Sequence, residues 1–137
     1  MISYRINRQE RLLTLLFAGT ISVADWKAAI SQAIAECPEV VAFDSIIDGR
    51  SPHPFLTREQ MDEFVRDVKK MGMQEHRRRS VYIAGNKAHF GISRMFELMT
   101  EPERKVERFT TESVAEAAAW LCRPEALVRA ELDAINA

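Results

Sequence analysis

Apolar and polar residues alternate from Ile2 to Ile6, the period of a strand with one buried face. Leu12 to Ala18 is mostly apolar and fits a more buried strand. The polar run Asn7-Arg8-Gln9-Glu10 between them predicts a hairpin. Ser22 and Asp25 have the spacing of a capping box, and Val23, Trp26, Ile30, Ala33 and Ile34 follow at helical spacing. That helix ends before Pro38, which disfavours helical backbone at the preceding residue. Val40 to Ile47 is a β-branched and aromatic strand candidate, and Asp48-Gly49-Arg50-Ser51-Pro52-His53-Pro54 reads as a loop.

Thr57 and Gln60 form a second capping box, with Met61, Phe64, Val65 and Val68 as the apolar stripe and Gly72 just past the helix end. Val81-Tyr82-Ile83-Ala84 is a third buried-strand candidate, and Gly85-Asn86-Lys87 turns the chain. Ile92, Met95, Phe96 and Met99 mark one face of the next helix. Lys105 to Phe109 alternates as a short strand. Thr111 is the expected cap of a helix reaching about Cys122, with Val114, Ala117, Ala118 and Leu121 inward. Pro124 opens a last helix whose apolar side is Leu127, Val128, Leu132 and Ile135. The order β-β-α-β-α-β-α-β-α plus a C-terminal helix predicts an α/β fold with a mixed, mostly parallel sheet.

At 137 residues the chain fits a single domain over 1–137. It has 19 Lys+Arg against 20 Asp+Glu, a formal charge of -1, with 47% apolar and 28% charged residues. That composition excludes disordered, collagen-like and disulfide-stapled classes and argues against a nucleic-acid partner. The uncharged stretch Leu12 to Ala24 falls short of the roughly 20 residues of a membrane span, so no transmembrane segment is expected. No signal peptide is visible, and Cys37 and Cys122 read as partly buried reduced thiols, which together imply a cytoplasmic protein.

Three stretches resemble a known family. They are Phe17-Ala18-Gly19-Thr20, closing the hairpin; His89-Phe90-Gly91-Ile92-Ser93-Arg94-Met95-Phe96-Glu97; and Val106-Glu107-Arg108-Phe109 followed by Ala115-Glu116-Ala117-Ala118-Ala119-Trp120-Leu121. Together they are similar to the SpoIIAA-like proteins, bacterial STAS- or SEC14-like relatives of anti-anti-sigma factors. The similarity runs from about Met1 to Leu121 and leaves 123–137 as an added C-terminal helix. It implies a four-helix, mixed-sheet domain that is a regulatory or protein-interaction module and not an enzyme. Anti-anti-sigma factors carry a phosphorylatable serine after the central strand, which maps Ser51 as a candidate phosphosite. Here the adjacent serine pair is missing and prolines follow.

In a parallel sheet the loops after successive strands emerge at one edge, where α/β proteins usually bind ligands. That places Asp48, Arg50, Ser51 and His53 near Asn86, Lys87 and His89, and the family-like run adds Arg94. The group is a candidate site for a partner or a small anionic ligand, although polar residues are expected on loops anyway. Methionines at 61, 71, 73, 95 and 99 admit an apolar, lipid-like ligand or ordinary core packing, with Met61, Met95 and Met99 on expected buried faces. Trp26 and Trp120 read as core or interface anchors.

Arg66 to Arg79 holds six Lys/Arg and two acids, offset by Glu101, Glu103, Glu107, Glu112 and Glu116. That pattern fits a solvated surface or self-association, and a homodimer is expected. The histidines His53, His76 and His89 lack metal-ligand spacing, and no GxSxG, P-loop or GxGxxG occurs, so no catalytic residues, metal or cofactor are assigned.

Overall fold

The computed structural model describes residues 1–53, 56–100 and 105–137. Pro54, Glu101 and Glu103, used in the sequence analysis, lie outside the described residues. The elements are β1 (Ile2–Asn7), β2 (Leu12–Phe17), α1 (Val23–Glu36), a 3-10 turn (Pro38–Ala42), β3 (Asp44–Gly49), α2 (Arg58–Lys70), β4 (Arg78–Ala84), α3 (Lys87–Thr100), β5 (Val106–Thr111), α4 (Val114–Leu121) and α5 (Glu125–Asn136).

The sheet order is β1-β2-β3-β4-β5, antiparallel for the opening hairpin and parallel thereafter. This order has a consequence for the layers. Right-handed crossovers that always step in the same direction put every crossover helix on the same face. Trp26 and Ile30 of α1, Phe64 and Val68 of α2, and Phe96 of α3 accordingly share one core with Leu13, Leu15 and Phe17 of β2. The opposite face would be bare without the C-terminal helices. Ala117, Ala118 and Leu121 of α4 and Val128 and Leu132 of α5 cover it, packing on Leu12, Ile46, Val81 and Ile83. The helix α5 is therefore the roof over β1 and β2. Arg5 and Asn7 of β1 fasten it, donating to the buried Glu131 carboxylate at 3.0 and 2.7 Å.

Both expected capping boxes form, at Ser22 with Asp25 and at Thr57 with Gln60, and Gly72 takes the left-handed conformation after α2. Several boundaries move. The strand expected over Val40 to Ile47 begins at Asp44, because Pro38 starts a 3-10 turn that buries Val40. Thr111 is not the cap of α4. It ends β5, and Ser113 caps the helix, its Oγ accepting from Glu116 N at 3.1 Å. Cys37 is buried, but Cys122 is exposed at the left-handed end of α4.

The inward face of α3 also differs. Met95, expected to be buried, is 44% exposed, and the buried positions are His89, Glu97 and Thr100. The facing strand β5 presents Arg108 and Thr110, so the polar side of the helix finds partners inside. The basic run near Arg79 is divided by strand alternation. Arg78 is buried and donates to the Met73 carbonyl at 2.9 Å and to Ser45 Oγ at 3.1 Å. Burial pulls its pKa down to about 10, with Asp44 opposing. Arg79 points to the other face, toward Glu107 and Trp120.

Candidate functional site

The loops after β3 and β4 lie side by side at the carboxyl edge of the sheet. Gly85 makes this possible, since a Cβ there would stand 2.7 Å from the Arg50 carbonyl oxygen. The loops bring His53 and His89 together, with ring centroids 3.9 Å apart and planes at 49°. His53 Nδ1 is 2.8 Å from the Ser51 carbonyl, and its Nε2 is 3.2 Å from Tyr82 Oη. The edge of Phe17 meets both rings, with centroids 6.1 Å from His53 and 6.2 Å from Tyr82. Tyr82 has room only because residue 49 is glycine: a Cβ there would lie 2.1 Å from the phenolic oxygen.

Beneath this pair, a partly open cavity of about 70 Å³ lies between α2, α3 and the sheet. Its wall is mostly apolar, with Phe17, Ile21, Ile47, Leu56, Met61, Phe64, Ile92 and Phe96. Polar residues enter from α3 and β5. Ser93 Oγ and Thr110 Oγ1 are 2.8 Å apart, Thr110 donates to Glu97 Oε1 at 3.0 Å, and Arg94 pairs with the same carboxylate. Arg108 lies over the Phe96 ring, 4.8 Å from its centroid.

Burial and the neighbouring His53 lower the pKa of His89. Burial, with the Asp48 carboxylate second, raises that of Tyr82, so the phenol stays protonated. At Asp48, burial pushes the pKa upward, but hydrogen bonds from Arg50 and Asn136 outweigh it and hold the carboxyl below the usual range.

The sequence-derived candidates separate into distinct roles. His53 and His89 line the cavity. Asp48 shares the second face with Ile46, is 1% exposed, and is saturated by Arg50 Nε and Nη2, both at 2.9 Å, and by Asn136 Nδ2 at 2.9 Å. Asp48 and Arg50 therefore clasp the end of α5 and do not face the cavity. Asn86 caps α3, its Oδ1 accepting from His89 N at 2.9 Å. Lys87 extends into solvent toward Glu112, 3.4 Å away. Ser51 is half-buried and gives its carbonyl to His53. Arg94 lies on the helix rather than in the loops and holds Glu97.

Sequence reasoning did not single out Phe17, Tyr82, Ser93, Glu97 or Thr110 as site residues. A signal existed for two of them: His89, Ser93, Glu97 and Thr100 recur at helical spacing as a polar stripe on α3. Among the described residues no group of His, Cys, Asp and Glu could hold a metal ion, and no helix is long and apolar enough to cross a membrane.

No family model matches the chain, and no curated protein matches it in sequence. A solved structure does match in architecture. It is the crystal structure of an uncharacterized protein of the DUF3478 family with a SpoIIAA-like fold, from Shewanella loihica PV-4. The alignment covers 88% of this chain and 93% of that one, with a TM-score of 0.56 and 19% identity. The fold is SpoIIAA-like. At that identity the likeness shows the architecture alone. The similarity read from the chain's own motifs thus agrees with its three-dimensional form: among the described residues, α1 to α4 are the four helices implied for the family-like core. The fifth, α5, lies in the segment beyond that core.

Proposed function

We propose that this SpoIIAA-like chain is a non-catalytic regulatory module of the STAS type that responds to a small, mainly apolar ligand. The cavity under the two strand-end loops carries this reading. It is aromatic-lined, sits at the sheet edge favoured for ligands, and is roofed by residues from both loops. Occupying it would act directly on the His53–His89 contact and so on the loops a partner would meet. The polar groups around it are bonded to one another, and Ser51 meets His53 through its carbonyl, an arrangement that supports binding rather than nucleophilic chemistry.

The interaction half of the reading is supported by α3, whose outer side exposes Met95 at 44% and Leu98 at 60%. A second copy of this chain is the partner we favour, because a net charge of -1 sets up little repulsion between copies.

Native mass spectrometry of gently purified protein tests both parts. The expected result is a dimer carrying an organic adduct that is released on activation. A bare monomer, under conditions in which a control protein keeps its ligand, goes against both.

A further inference from the structure

The hydrogen-bond partners around the cavity determine which way its protons point. The Ser51 carbonyl can only accept, so His53 Nδ1 carries the proton in their 2.8 Å contact. With that proton on Nδ1, the imidazole keeps its lone pair at Nε2, and Tyr82 Oη, 3.2 Å away, is placed to donate to it. A phenol has one proton, so Tyr82 is left with lone pairs only.

The same count applies across the cavity. Thr110 Oγ1 donates to Glu97 Oε1 at 3.0 Å and has spent its proton. In the 2.8 Å contact between Ser93 and Thr110, Ser93 must therefore donate. Ser93 is likewise left with lone pairs only. Two hydroxyls lining a mostly apolar cavity thus remain as acceptors, each with its donor committed elsewhere.

We propose that this cavity takes a small apolar molecule bearing a hydrogen-bond donor (an alcohol, a phenol or a neutral amine) whose donor is received by Tyr82 Oη or Ser93 Oγ. This deepens the ligand-binding reading above and rests on it. A carboxylate would set lone pairs against lone pairs at these two oxygens and is disfavoured there. The cavity, about 70 Å³, is roughly half the ~150 Å³ that admits benzene, so the ligand is small or the wall yields. Met61, with its flexible thioether, is the wall residue best able to give way.

Titrating isotope-labelled protein with phenol, toluene and benzoate, followed by NMR, tests the proposal. Phenol is expected to bind about fivefold more tightly than toluene, the effect of one net hydrogen bond, and benzoate more weakly than either. Tyr82→Phe and Ser93→Ala remove one acceptor each. At least one of them should bring phenol down to the affinity of toluene, and if one variant fails to fold the other decides. Equal binding of phenol and toluene, or tighter binding of benzoate, overturns the donor assignment while leaving the cavity a ligand site. No binding of any probe by the folded protein overturns the ligand-binding reading as well.

Discussion

The two faces of the sheet differ in how completely they are filled. Under α4 and α5, the core residues Leu12, Ile46, Val81, Ile83, Ala117 and Val128 are all 0% exposed, and alanines on α4 let helix and sheet approach closely. Under α2 and α3, Ile47, Leu56, Phe64, Tyr82 and Phe96 are only partly buried, and a cavity remains between them. Small aliphatic side chains tile a flat surface, whereas large rings meeting edge to face, as Phe64 and Phe96 do at 5.2 Å, leave gaps at their corners. One face is built for stability, and the other gives up some packing for a space.

The largest effect should separate the faces. Leu132→Ala on the filled face is expected to cost about 3 kcal/mol in denaturant unfolding, the usual loss for a buried leucine. Phe96→Ala removes a larger side chain beside an existing void and is expected to cost less than that mean while enlarging the cavity. A greater loss for Phe96→Ala than for Leu132→Ala would reverse the comparison.

Next come the glycines that allow the site to assemble. Gly49→Ala drives a Cβ into the Tyr82 ring, and Gly85→Ala drives one into the Arg50 backbone. Each is expected to lower stability by about 1–3 kcal/mol and to disturb the His53–His89 contact, visible as shifted histidine ring resonances. Unchanged histidine resonances would show that the loops do not depend on these glycines.

A moderate effect is expected from pH. The His89 pKa lies below the ordinary 6.5 because of burial first and His53 second, so the unfolded chain binds that proton more readily. Stability should therefore be complete above pH 6.5 and decline as pH falls toward the folded-state value. His89→Gln should flatten this part of the profile. A decline that persists unchanged in the variant would assign it to other groups. Asp48, held below its ordinary 3.8, loses its contribution only at more acidic pH and leaves the histidine window clear.

The smallest effect concerns the loop charge. Lys87 is 90% exposed in its pair with Glu112, so Lys87→Ala should change stability by less than about 0.5 kcal/mol. A larger loss in thermal unfolding would mean that the loop edge is held more by charge than by the ring contacts.

The order of elements was legible because hydrophobic period and capping chemistry are local. Ser22 with Asp25 and Thr57 with Gln60 announce helices from residues within one turn of each other. The neighbourhood of the two loops was legible too, since parallel strands must deliver their following loops to one edge. The roles within that neighbourhood were not. Asp48 looked like a loop residue available to a ligand, but it belongs to β3, and only the distant Asn136 and the Arg50 fork reveal that its oxygens are used. Met95 looked buried on helical period, because a period gives the width of a face and not whether the opposite wall will be apolar.

The sequence by itself determined the α/β order, the mixed sheet and the meeting of His53 with His89's loop, because strand period, helix caps and the handedness of crossovers follow from chain-local chemistry. Only the tertiary structure decided that α5 roofs the second face, that Glu97 turns inward, and that the hydroxyls of Tyr82 and Ser93 meet His53 and Thr110. Each of those depends on partners brought from far along the chain, as when Glu131 is reached by Arg5 and Asn7. A buried polar atom is assigned its role by whichever group arrives opposite it, and no local pattern names that group.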